Sequence, residues 1–167
     1  MTFIPVRIHA FFWLLAGLIG WISTLSFLGT VVWMAVILVS ILVHEYGHAL
    51  TAVFFGQKAV INLTGFGGLT QHKGKIKLKP WQEFLIVLNG PLAGFLLYFA
   101  SSFVLEFYGQ KMGQIMQYSL IVAVYINLFW TVINLFPVLP LDGGQLVKIV
   151  LEQIFGFKGL RYAGLLS

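Results

Sequence analysis

The sequence contains no cysteine, and only five of its 167 residues are acidic. The absence of cysteine excludes disulfides, thiolate metal sites and a thiol nucleophile, so any metal ion must be held by His, Asp or Glu. Charged residues of both signs make up 9% of the chain, against about 25% in soluble domains. So few charges cannot coat a water-soluble particle, which argues against a cytosolic enzyme, a disordered tail and a nucleic-acid module.

Hydrophobic residues make up 59% of the sequence and are concentrated in four stretches, over about 8–22, 30–55, 81–108 and 114–136. A helix that crosses a bilayer needs about 20 apolar residues. The first stretch is short for a crossing, and a signal peptide is the alternative interpretation, but no small-residue cleavage motif follows it. We therefore predict an all-α, polytopic membrane protein with about four transmembrane helices.

The one long polar segment lies between the second and third stretches, over residues 56–80. Side chains alternate there with a period of two, first over residues 60–64 and then over residues 73–79. Such alternation is typical of a β-strand. It predicts a small β-hairpin or sheet in the loop between helices 2 and 3, with four lysines on one strand face: Lys73, Lys75, Lys77 and Lys79.

The basic residues predict a topology. If all four stretches cross the membrane, nine of the ten basic residues share one side with the N-terminus, and Lys111 lies alone on the other. The positive-inside rule places the nine in the cytoplasm of a multi-pass cell-membrane protein. We expect the lysines to contact lipid headgroups rather than nucleic acid, because the lysine strand lacks the interleaved aromatic residues of nucleic-acid sites.

An H-E-x-x-H motif lies inside the second stretch, at His44-Glu45-Tyr46-Gly47-His48. Residues four apart share one helix face, so both histidines can direct a ring nitrogen at one zinc ion. Glu45 lies beside them and can act as a general base toward a water molecule. These side chains are costly in a membrane helix unless something such as a metal compensates them. The alternative is a helix with ordinary polar contacts inside a bundle.

A catalytic zinc site takes three protein ligands, so the third must come from elsewhere in the chain. Asp142 is favoured because Pro137 and Pro140 break the fourth helix before it and Gly143-Gly144 allow close packing after it. Asp142 could instead simply cap a new helix over residues 145–155. The remaining candidate ligands are His9, His72, Glu83, Glu106 and Glu152.

The helix directions place both motifs in the same leaflet. The second and fourth stretches both run toward the predicted cytoplasmic side, and His48 lies about 12 Å before the end of its stretch. The fourth stretch ends near Asn134. The basic-residue count did not use either motif, so this agreement supports one site at the cytoplasmic end of the protein.

The two motifs together resemble the site-2 protease family of intramembrane zinc metalloproteases. His44-Glu45-Tyr46-Gly47-His48 is followed, in the family's order, by Asn134, Pro137 and Pro140-Leu141-Asp142-Gly143. Gly90-Pro91 also resembles the family's G-P-x-x-N motif at the start of the third core helix, with Gly94 where the family usually has Asn. Gly67-Gly68 resembles its glycine-bearing strand near the active site.

This resemblance implies a zinc metalloendopeptidase that hydrolyses a peptide bond within or near a transmembrane segment of another protein, as in regulated intramembrane proteolysis. It implies one Zn²⁺ per chain, bound by His44, His48 and Asp142, with Glu45 catalytic and Asn134 close to the site. The implied partners are a transmembrane substrate and the lipid bilayer, with no nucleic acid. A regulatory partner or an oligomer stays open.

We expect residues 1–167 to form a single membrane-embedded metalloprotease core. Residues 161–167 have the composition of another helix start, so we interpret the chain as either a C-terminally truncated core or a minimal family member. Two other functions remain open. Transport of a metal ion or protons would also use intramembrane His and Asp, but without a general base. A non-catalytic scaffold would need none of these residues.

Overall fold

A computed structural model describes residues 3–65 and 67–155. The predicted helix start over 161–167 lies outside the described residues. So do Lys158 and Arg161, two of the nine basic residues predicted to share the cytoplasmic side. Within the described residues the chain forms three strands, five α-helices and a short 3₁₀ turn. In chain order these are β1 (Val6–Ile8), α1 (Ala10–Thr24), α2 (Phe27–Phe54), β2 (Lys58–Thr64), β3 (Gly67–Lys73), α3 (Pro80–Tyr108), the turn (Gly109–Lys111), α4 (Gln114–Asn134) and α5 (Asp142–Phe155).

Three of the described helices, α2, α3 and α4, are long and apolar enough to cross a membrane. The 28 residues of α2 extend for about 42 Å. Helix α1 has 15 residues, or about 22 Å, which is less than the ~30 Å of a hydrocarbon core. The predicted polytopic helical fold is confirmed, and the first of the four predicted crossings is this shorter apolar helix.

The described strands form one sheet in the order β1-β2-β3. Strands β2 and β3 are antiparallel, with Ile61 opposite Thr70, which confirms the β element predicted between helices 2 and 3. Strand β1 was not predicted, because its three residues are too few to show a periodic signal. It pairs in parallel with β2, with Val6 opposite Ile61. This pairing holds the N-terminal segment and the 56–80 loop at the same end of the molecule.

The prediction that all four lysines of residues 73–79 lie on one strand is wrong. Strand β3 ends at Lys73, opposite Lys58. Strand β2 begins at Lys58, so the chain beyond Lys73 has no β2 residue left to pair with. The side chain of Gln57 donates a hydrogen bond to the Ile76 carbonyl oxygen at 3.0 Å and holds the following loop.

The sheet is fixed to the helices by its middle strand. Ala59, Ile61 and Leu63 alternate along β2 and are almost completely buried. They belong to one core with apolar side chains of α1 and α2, among them Phe12 and Ile41. Because β2 is fixed in this way, β3 lies against α2, close to the H-E-x-x-H motif.

The segment between α4 and α5 carries Asp142 back to α2. Helix α4 ends at Asn134 and α5 begins at Asp142, with two prolines in the intervening turn. The close packing predicted for Gly143-Gly144 is confirmed: a Cβ on Gly143 would overlap the backbone of the preceding loop. The first turn of α5 is therefore seated directly on that loop.

Candidate active site

Three potential ligand atoms from two helices converge on one point. His44 and His48 lie one turn apart on α2, and their Nε2 atoms are 3.2 Å apart. The Asp142 Oδ2 atom lies 3.1 Å from Nε2 of His44 and 3.4 Å from Nε2 of His48. All three residues are buried, and theirs is the one cluster of metal-ligand type within residues 3–65 and 67–155.

This triangle fits a tetrahedral metal ion. Bonds of about 2.0–2.1 Å to nitrogen and oxygen place neighbouring ligand atoms of a tetrahedral site about 3.3 Å apart. The three observed separations lie close to that value. The buried Asp142 Oδ2 atom has no hydrogen-bond partner of good geometry among the described residues, so it is free to act as a metal ligand. The cluster could therefore hold a metal ion with one open coordination position.

Helix α3 orients one of the two imidazoles. His48 Nδ1 lies 2.8 Å from the Ile86 carbonyl oxygen, which can only accept, so Nδ1 carries a proton and Nε2 is the nitrogen that could bind a metal ion. Gly90 makes room for this ring, because a Cβ there would overlap the imidazole. Helix α3 begins at Pro80, so Gly90-Pro91 lies ten residues inside the helix rather than at its start.

Gly94 lies beside the other imidazole. A Cβ at this position would lie 3.8 Å from His44 Nδ1 and 2.9 Å from Thr131 Oγ1. Both of these atoms are buried and have no hydrogen-bond partner among the described residues. A side chain at position 94 would therefore enter the space between α3, His44 and α4.

Glu45 is 4% exposed and is contacted by the sheet. The Thr70 hydroxyl donates a hydrogen bond to Glu45 Oε2 at 2.6 Å. Thr70 Oγ1 also lies 3.2 Å from the main-chain carbonyl oxygen of Glu45. Gly68 lies on the same face of β3, and a Cβ there would overlap the Glu45 side chain. Sequence reasoning missed Thr70, although the period of two from Gly68 would have placed it on this face.

A cavity of about 470 Å³ opens beside the three ligand atoms and Glu45. Asn134 lines it, and its amide nitrogen donates a hydrogen bond to the Trp130 carbonyl oxygen at 2.9 Å. The site therefore combines a potential metal cluster, a buried carboxylate and space for a ligand. The other lining residues include Gly68, Leu69, Thr70, His72, Ile86, Val87, Ile133 and Pro140.

The alternative ligands lie outside the metal cluster. His72 lines the cavity, and partial burial lowers the pKa of its imidazole, an effect that the nearby Glu83 carboxylate only partly opposes. Glu152 lies 3.8 Å from Lys148 Nζ on the same helix. His9 is the exposed N-cap of α1, and Glu106 is exposed near the far end of α3.

Comparison with known proteins agrees with the motifs. The family model of Peptidase family M50 matches residues 32–119 and 105–162, which together cover most of the chain. The chain belongs to Peptidase family M50. The predicted resemblance to site-2 proteases is thereby confirmed.

The matched M50 relatives are longer than this chain. It is 30% identical over 158 residues to the stage IV sporulation protein FB of Bacillus subtilis, covering 93% of this chain and 50% of that protein. It is 28% identical over 159 residues to a zinc metalloprotease of Methanocaldococcus jannaschii, covering 92% of this chain and 44% of that one. The chain thus spans about half the length of these relatives.

A solved structure shares the fold of this M50 chain. The site-2 protease from Methanocaldococcus jannaschii superposes with a TM-score of 0.67 at 24% identity, over 98% of this chain and 74% of that one. The likeness confirms the fold class. Together with the three apolar helices, family membership makes this chain a membrane protein.

Proposed function

We propose that this chain is an intramembrane zinc metalloprotease that hydrolyses a peptide bond within or near a transmembrane segment of a membrane-protein substrate. The observation that carries the proposal is the triangle of three ligand atoms, 3.1–3.4 Å on a side, within an apolar helix bundle. Glu45 follows His44 in the sequence and supplies a carboxylate that a transport or scaffold function would not need. Residues 1–167 would hold this activity in a single membrane-embedded core.

In this proposal His44, His48 and Asp142 hold one Zn²⁺ per chain. When bound, the ion supplies the Lewis acidity that acidifies a water molecule and polarises a scissile carbonyl. Glu45 accepts the proton of the attacking water and delivers it to the leaving amine, so its carboxylate must be ionised and correctly oriented at the start of the cycle. Asn134 lines the same cavity, and in this proposal it contacts the bound peptide.

The substrate must offer an extended segment. The carbonyl groups of an intact transmembrane helix are hydrogen-bonded internally, so a scissile bond becomes accessible only after local unwinding. Strand β3 pairs with β2 on one side and lies at the edge of the described sheet, and its residues line the cavity. An unwound peptide could add to this edge as a further strand and present its backbone to Glu45.

The proposed orientation places the N-terminus, the 56–80 loop and the active-site end in the cytoplasm. Single cysteines in place of Lys75 and Lys111 test it cleanly, because the chain has no cysteine of its own. Both positions are exposed. An impermeant thiol reagent added to intact cells is expected to label position 111 and not position 75 until the cells are opened. Labelling of position 75 alone would reverse the orientation.

Proteolysis itself is tested with purified protein in liposomes. The probe is a quenched fluorescent peptide with an apolar segment of about 20 residues, interrupted by glycines that ease unwinding. We expect cleavage inside this segment, complete loss of cleavage with a zinc chelator, and recovery when zinc is restored. Zinc movement across the vesicle membrane without any cleavage would instead support transport.

A further inference from the structure

We propose that Thr70 is a positioning residue for Glu45, through which the edge strand of the sheet sets the orientation of the catalytic carboxylate. This inference rests on the proposed function of Glu45. It deepens that function, because it assigns the control of the proposed base to a residue outside the H-E-x-x-H motif and 25 positions away in sequence. Its basis is geometric and lies in the contact between β3 and α2.

The contact itself is short and directional. The Thr70 Oγ1 atom lies 2.6 Å from Glu45 Oε2, within the range of about 2.5–2.7 Å for a hydroxyl that donates to a carboxylate. Thr70 Oγ1 also lies 3.2 Å from the main-chain carbonyl oxygen of Glu45, so Thr70 contacts both the backbone and the carboxylate of Glu45. Glu45 is almost fully buried. Removing the Thr70 hydroxyl would therefore take a hydrogen bond from a carboxylate oxygen that has little access to water, which costs free energy.

The second carboxylate oxygen is confined from the same strand. A Cβ on Gly68 would overlap Glu45 at Oε1 and Cγ, so the β3 backbone packs directly on the side chain. Thr70 thus holds Oε2 while Gly68 limits the movement of Oε1. Together they confine the carboxylate from the side of β3 and restrict its rotation.

The strand that carries Thr70 also forms the border of the cavity. Gly68, Leu69, Thr70 and His72 all line it, and β3 is hydrogen-bonded to β2 along one side. A peptide that adds to the free side of β3 would move or fix the strand that holds Glu45. Thr70 would therefore couple substrate docking to the orientation of the base. Removing the Thr70 hydroxyl should lower kcat more than it weakens peptide binding.

The test compares Thr70→Val, Thr70→Ser and Gln71→Val. Valine keeps the size of threonine without the hydroxyl, serine keeps the hydroxyl, and Gln71 is the exposed neighbour on the opposite strand face. We expect Thr70→Val to lower kcat for the liposome peptide by roughly 10- to 100-fold, as for a displaced catalytic group. KM and zinc content should stay near wild type. Thr70→Ser should recover most of the rate, and Gln71→Val should match wild type.

Three results would overturn the proposal: wild-type kcat in Thr70→Val, failure of Thr70→Ser to restore it, or a Thr70→Val defect confined to KM or zinc content. The proposed function fails separately, if the wild-type protein does not cleave the peptide at all.

A double-mutant cycle of thermal stability tests the contact without measuring activity. Thr70→Val should lower the Tm of the wild type, and it should have a smaller effect in a Glu45→Leu background. Equal shifts in both backgrounds would also refute the coupling.

Discussion

Glu45→Gln is expected to give a folded, zinc-loaded protein that no longer cleaves the liposome peptide. Glutamine is nearly isosteric with glutamate, and its amide oxygen can still accept the hydrogen bond from Thr70, so the packing of α2 against β3 should survive. It cannot accept a proton from water, so turnover should fall by about 10²–10⁴-fold, the contribution of a general base. Cleavage rate and bound zinc are measured on the same preparation.

The control is the same chemical change elsewhere at this end of the molecule. Glu83→Gln removes a carboxylate from the first turn of α3, outside the metal cluster, and should leave both cleavage and zinc unchanged. Near-normal cleavage by zinc-loaded Glu45→Gln protein would refute the mechanism. Loss of zinc in this variant would instead indicate that Glu45 contributes to metal binding.

Asp142→Ala is expected to remove the bound zinc. The change takes away the one oxygen ligand of the triangle and leaves two histidines, fewer than the three protein ligands of a catalytic site. Changes to outer residues of metal sites cost about 10–100-fold in affinity, so the loss of a ligand should exceed about 100-fold. Zinc affinity is measured by competition with a chelator, on protein whose Tm shows that it remains folded.

Glu152→Ala is the matched control for this experiment. Glu152 lies on the same helix, was a candidate ligand by composition, and contacts Lys148 at the surface. Its removal should leave zinc affinity at the wild-type value. Full zinc in Asp142→Ala together with loss of zinc in Glu152→Ala or Glu83→Ala would show that the third ligand had been assigned incorrectly.

Local patterns in the sequence were sufficient to predict that the chain is a membrane protein and that two histidines lie side by side on one helix. Apolar length and charge scarcity depend only on neighbouring residues, and i, i+4 spacing places His44 and His48 on one face of any regular helix. The limits of α2 and α4 followed from the same signals to within a few residues. The family's motifs likewise could be recognised without knowledge of contacts.

Local patterns failed where a strand depends on its partner. Residues 73–79 alternate like a strand, but β2 begins at Lys58 and offers no pairing beyond Lys73. Strand β1 has three residues, too few for a periodic signal, and exists because β2 is there to pair with it. Strand formation depends on hydrogen bonds to a second segment, which the sequence of one segment does not contain.

The sequence by itself determined which residue types could form a metal site, and it left six candidates for the third ligand. Only the tertiary structure separates these candidates: it brings Asp142 within 3.4 Å of both imidazoles and leaves the other five outside the cluster, which is why Asp142 is the proposed third ligand. It also decided that Thr70 contacts Glu45 and that Gly90 adjoins His48. These contacts join helices and strands that are distant in sequence, so they arise only when β2 fixes the sheet on α2 and the α4–α5 turn carries Asp142 back to the bundle.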